Sequence, residues 1–151
     1  MIWAVHLISP STYDEARFNR LVEGLVESNI GVITCPSGAL GMRQFRPLDT
    51  PAYNCIPRLL EMLAAGVHVR VGSDNVADIC SPSTTANLID EIFLLSAALR
   101  FYNPDILAKL AAGEKIGTGD REYIRDHLRK NDLEIEKFMR RKVPDALSQH
   151  P

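Results

Sequence analysis

Three short β-branched segments, separated by two helical stretches, limit this chain to a narrow set of folds. Residues 2–8, 31–35 and 67–71 read as buried strands, and the stretches between them carry apolar side chains at helical spacing. Strands joined through helices run parallel, with right-handed crossovers. The third strand says most. A helix stops at Gly66, Val67-His68-Val69-Arg70-Val71 follows at once, and Gly72-Ser73 lets the backbone turn into Asp74. In parallel α/β folds the carboxyl ends of the strands carry ligands and chemistry. An Asp there is sited to hold a metal or to take a proton from water; it is also a common cap for the next turn.

The first helix places Ala16, Leu21, Val22, Leu25 and Val26 on one stripe, takes its N-cap from Ser9-Pro10-Ser11-Thr12 and closes at Asn29 to Gly31. The second has Pro57 in its first turn, carries Leu59, Leu60 and Leu63, and ends at Gly66. A third shows Leu88, Ile92, Leu95 and Leu99 at strong periodicity. Long loops, 37–54 and 74–84, follow strands two and three, whereas the helix-to-strand returns are tight. That asymmetry is the layout of a (β/α) barrel or an open doubly wound sheet. Three strands cannot close a barrel, so they leave open edges and an uncovered face for another chain or further residues to cover. Alternation puts His68 and Arg70 on the same side as Asp74, where they read as a solvated or self-paired patch.

After Tyr102 the character changes, which divides the chain into an α/β region, 1–102, and a helical extension, 103–151. Asn103-Pro104-Asp105 opens a helix to Ala112. The turn from Gly113 to Gly119 follows a helix and lacks a Gly-Lys-Ser/Thr ending, so it is not a phosphate loop. Residues 120–141 form a charged helix with Tyr123, Ile124, Leu128, Ile135 and Phe138 as its apolar positions, read as a surface helix packed on its own domain. A net charge of −2 supplies no basic field for nucleic acid or an anionic membrane. No apolar run spans a bilayer, and the start has no charged region typical of a signal peptide. Cys35, Cys55 and Cys80 are widely spaced and read as reduced thiols, which points to the cytoplasm.

Several blocks keep a joint spacing: His6 with Tyr13 and Ser28-Asn29-Ile30-Gly31; Cys35-Pro36; Arg58-Leu59-Leu60-Glu61-Met62-Leu63 through Gly66 to Gly72-Ser73-Asp74-Asn75-Val76; and Asp78, Pro82 and Thr85-Ala86-Asn87. Together they resemble the carboxyl-terminal part of the amidohydrolase superfamily, nearest its cytosine deaminase-like branch, over residues 1 to about 102. The resemblance implies the last three parallel β/α units of a (β/α)8 barrel, equivalent to strands six to eight. It implies hydrolytic deamination or C–N bond cleavage by metal-activated water. It makes Asp74 and His6 the catalytic pair, Asp74 the ligand to zinc or iron, and Asn75 and Ser37 the substrate-binding positions.

The departures are as informative. The family's His-x-His pair and its fifth-strand His have no counterpart, since the chain begins at the equivalent of the sixth strand. Asn75 stands where a second acid is common, Cys80 where an aromatic would cover the substrate ring, and Ser37-Gly38-Ala39 lacks the usual Asn. A mononuclear site takes about three to five protein ligands, of which this chain offers one or two. The expectation is a portion of a metal-dependent amidohydrolase, inactive as an isolated chain, with zinc or iron as the cofactor the resemblance implies and no metal as the alternative in a chain this short. It would act on a small molecule as a homo-oligomer or with a complementary amidohydrolase amino-terminal segment. The alternative is a non-catalytic oligomeric or regulatory binding module.

Overall fold

The computed structural model describes residues 1–41, 55–79 and 81–146. Most of the 37–54 loop, Cys80 and the Phe138 side chain lie outside the described residues. Three strands, β1 (Ile2–Val5), β2 (Ile30–Thr34) and β3 (Val69–Val71), form one parallel sheet in the order β1-β2-β3. Val32 sits beside Ala4 on one side and Val69 on the other, which fixes the register. Around the sheet run α1 (Glu15–Glu27), α2 (Pro36–Leu40), α3 (Leu59–Ala65), α4 (Leu88–Leu99), α5 (Pro104–Ala111) and α6 (Thr118–Ala146).

Local chemistry sets where these elements start and stop. Asp14 caps α1 by accepting from the Arg17 amide at 2.7 Å, Asn87 caps α4 at Ile89, and Asn103 caps α5 at Ile106. At the end of α3, Gly66 enters the left-handed region at φ 102°, and the Gly66 and Val67 amides both turn back to the Met62 carbonyl. The chain thus passes from α3 into β3 with almost no loop.

The sheet is buried on one face. Val32, Thr34, Val69 and Val71 lie under Phe18, Leu59, Met62, Leu63 and Leu95 from α1, α3 and α4. The other face carries Trp3, Val5, Ile33, His68 and Arg70, half-buried or exposed. There the Trp3 and His68 rings meet edge to face at 5.0 Å, and the Arg70 guanidinium lies 4.9 Å from the Trp3 ring. One core continues into the helical extension. Ile106, Leu110 and Ile124 join it, and Arg125 on α6 donates to the Ala64 carbonyl at 2.6 Å. The described part of α6 is therefore packed along α3, as expected of a helix that covers its own domain. Among the described residues no helix is long and apolar enough to cross a membrane.

Several boundaries differ from expectation. The first strand ends at Val5 because His6 and Leu7 both adopt left-handed backbone, at φ 67° and 51°. Ser9–Thr12 forms a 3-10 turn, leaving the capping of α1 to Asp14. Pro57 stands just outside α3, whose N-cap is Arg58. Its guanidinium is costly to bury, yet ion pairs to Glu15 and Glu61, at 2.9 and 2.8 Å, hold it above its usual pKa. The loop expected from Ser37 begins as a short helix, because Pro36 is preorganised for a first helical turn.

Two predictions follow from this packing. A Cβ on Gly31 would overlap the edge of the Trp3 ring. Gly31→Val should therefore cost about 1–3 kcal/mol, read by urea unfolding, with a red-shifted emission from the single Trp. In the extension, Lys109 binds both Asp120 carboxylate oxygens at 2.8 and 2.9 Å. That bond, with the Gly117 amide, holds Asp120 below the usual carboxylate range and Lys109 above its own. The pair's contribution is complete at neutral pH, fades as pH falls through the lowered Asp120 pKa, and fades again as pH rises through the raised Lys109 pKa. Asp120→Asn should flatten the acid limb of a Tm-against-pH curve, and an unchanged limb would contradict the assignment.

Candidate active site at the strand carboxyl ends

Parallel strands deliver their carboxyl ends to one side, and there the segments after β1, β2 and β3 enclose a cleft of about 250 Å³. His6, Ile8, Gly38, Gly41, Asp74, Asn75 and Ser81 line it. His6 follows β1 and Asp74 follows β3, so the two side chains reach toward each other across the end of β2. His6 Nε2 lies 2.9 Å from Asp74 Oδ2, with the side chains 37% and 44% exposed. The position is set by backbone: the His6 amide continues the ladder to the Ile33 carbonyl at 2.9 Å before the chain turns left-handed. Gly38 stands beside Asp74, where a Cβ would meet the Asp74 Cβ in ordinary contact at 3.8 Å.

The cleft gathers strained backbone. His6, Leu7, Asn75 and Ala77 all have positive φ, each costing about 1–3 kcal/mol unless the surroundings hold it. Around Asn75 and Ala77 the holder is Thr84, which is 7% exposed. Its Oγ1 accepts from the Ala77 amide at 3.0 Å, and its proton is shared by the Asn75 and Ser81 carbonyls. The 74–84 loop is thus tied to a single buried hydroxyl.

Ser37 points elsewhere. Its amide donates to Glu91 Oε2 at 2.9 Å and its hydroxyl to Oε1 at 2.5 Å. Glu91, on α4, is 3% exposed and was not anticipated as a functional residue. The signal was present: Glu91 interrupts the apolar stripe of Leu88, Ile92 and Leu95, and an acid on a core-facing stripe needs a partner. By anchoring the first turn of α2, Glu91 fixes the segment that presents Gly38 and Gly41 to the cleft. Cys35, at the same junction, is pushed up to about 11 by burial and by the nearby carboxylates of Asp74 and Glu91. It is a neutral thiol at physiological pH and no nucleophile. His68 lies away from the cleft, with Nε2 3.3 Å from the Gly113 carbonyl.

An imidazole and a carboxylate in contact can hold, orient and move a proton. They are also ligand types suited to zinc or iron. Among the described residues, however, no group of three or more His, Cys, Asp or Glu comes together to hold a metal ion. His6 and Asp74 alone do not fit a complete metal centre.

No protein-family model matches the chain, and no curated protein matches it. One solved structure is similar: 5-methylcytosine deaminase from Klebsiella pneumoniae liganded with 5-fluorocytosine. The TM-score is 0.64 at 21% sequence identity, and the match covers 74% of this chain and 28% of that one. The likeness shows the fold alone: an α/β arrangement shared with part of that deaminase. The chain spans little more than a quarter of the deaminase's length.

Glu91→Ala should leave the Ser37 amide and hydroxyl without their acceptor in a buried setting, at a cost of about 1.5–3 kcal/mol. Urea unfolding measures the loss, and a variant as stable as the parent would show that α2 is held by other contacts.

Proposed function

We propose that residues 1–102 supply the last three β/α units of an amidohydrolase-type barrel. The cleft would then hydrolyse a C–N bond of a small nitrogen heterocycle or related amide. The observation that carries this reading is the His6–Asp74 contact at 2.9 Å, placed where parallel α/β folds do chemistry. The shared fold with a cytosine-type deaminase supports it. In the reaction Asp74 takes the proton of the attacking water and returns it to the departing nitrogen. His6 holds the Asp74 carboxylate in place and steadies the charge that develops beside it. Asn75, on the rim, faces the substrate; Ser37 acts behind the rim through its bond to Glu91.

The zinc or iron that the resemblance implies needs ligands beyond His6 and Asp74. In this reading they come from a complementary polypeptide segment or another copy, so the chain is inactive alone. The bare sheet face, with Trp3, Val5, Ile33 and Arg70, is the surface such a segment would cover in a closed barrel. We place the chain in the cytoplasm, where its thiols stay reduced.

The test is complementation. Alone, the chain should hold no stoichiometric zinc or iron and release no ammonia from cytosine or 5-methylcytosine. Combined with the part of the Klebsiella pneumoniae deaminase that the match does not cover, it should take up metal and release ammonia. Asp74→Asn should abolish turnover in that complex. A complex that assembles yet neither binds metal nor turns over would instead favour a non-catalytic binding module.

A further inference from the structure

Where α4 ends, the chain turns through Arg100 toward α5, and α6 passes alongside. Between them lies a groove of about 510 Å³, lined by Leu99, Arg100, Tyr102, Asn131, Glu134 and Ile135. It shares no residue with the cleft at the strand ends, and its volume is in the range of small-molecule sites. Arg100 is the unexpected residue there. It caps α4 in the left-handed region at φ 52°, with the Arg100 amide on the Ala97 carbonyl and the Phe101 amide on the Ser96 carbonyl. Glycine takes such a position without strain, as Gly66 does at the end of α3. Among the described residues, the Arg100 guanidinium adds no ion pair or hydrogen bond to the fold, and neither does the Glu134 carboxylate. Two opposite charges thus line one groove without pairing.

We propose that this groove binds a small zwitterion with an apolar body, in the class of amino acids with a large aliphatic or aromatic side chain. The ligand carboxylate takes the Arg100 guanidinium, and its ammonium takes the Glu134 carboxylate. Asn131 adds an acceptor: its Nδ2 lies 3.1 Å from His127 Nε2, which leaves Oδ1 for a second ammonium hydrogen. The His127 ring packs edge-on against Phe101 at 5.1 Å, so Asn131 starts from a fixed place. The apolar body lies along Leu99, Tyr102 and Ile135, the last two 67% and 60% exposed. Other occupants fit less well. A ligand of one charge meets its own sign at Glu134 or Arg100, and an uncharged one strips water from both without compensation. The same face of a second copy would set one concave surface against another and leave a void.

Both charges are exposed, so each bond is modest and the Kd is on the order of a millimolar. The site is independent of the hydrolytic reading, and its test needs neither metal nor turnover. Titration of the full chain with L-phenylalanine, followed at the backbone amides by NMR, should shift Arg100, Tyr102 and Asn131 and leave Asp74 and Asn75 in place. N-acetyl-L-phenylalanine lacks the cation and L-phenylalaninamide lacks the anion; each should bind about fivefold more weakly or worse. Arg100→Gly should weaken phenylalanine to the level of its amide while Tm stays at or above the parent's, since Gly suits the left-handed cap. Glu134→Gln should likewise erase the preference for phenylalanine over its N-acetyl form. The absence of any saturable shift up to the solubility of phenylalanine overturns the proposal. So do shifts confined to Asp74 and Asn75, which would place the ligand in the cleft, and a Kd indifferent to both variants.

Discussion

Every helix that covers the sheet does so from one side, and the rest of the molecule follows from this. Right-handed crossovers between parallel strands put α1 and α3 on the same face, and α4 joins them there. Val32, Thr34, Val69 and Val71 are sealed as a result, while Trp3, Val5, Ile33 and Arg70 remain on the other face. The same connectivity brings all three carboxyl ends to one side, which is how His6 and Asp74, from the two outer strands, come to touch. The bare face and the assembled pair are two products of one topology.

The parts of the fold legible in the sequence are those governed by local rules. Strand and helix alternation shows in the hydrophobic period, and the α3-to-β3 return shows in Gly66, where only a residue without a Cβ enters φ 102° cheaply. Asp74 could be placed at a strand end from its neighbours alone. Its contact with His6 rests on spacing across two crossovers, which the resemblance supplied and the geometry brings within 2.9 Å. What stayed illegible depends on distant partners. The left-handed backbone at His6-Leu7 could not be read ahead: His visits it more readily than most residues but Leu does not, and the turn is closed by the Leu7 amide on the Val5 carbonyl just after His6 leaves the ladder to Ile33. The resemblance implied a substrate-binding place for Ser37; its amide and hydroxyl are held by Glu91, a residue that periodicity alone would count among core positions.

The site therefore rests on a second layer that carries no motif. Thr84 holds the loop beyond Asp74, and Glu91 holds the turn beyond β2. Both are buried polar groups that act by restraining backbone around the cleft. In a fold with this much left-handed backbone beside its cleft, such restraints set the geometry as firmly as the strands do.

The Ser37–Glu91 tie also orders events in time. It joins residues 54 positions apart, so closing it confines a long stretch of chain and comes late relative to helix formation or the α3–β3 return. During synthesis, Ser37 leaves the ribosome long before α4 exists, and the first turn of α2 must wait without its acceptor. In the finished molecule the same dependence runs backward: a fluctuation that lifts α4 would release the first turn of α2 beside the cleft together with the cover that Leu95 gives the sheet.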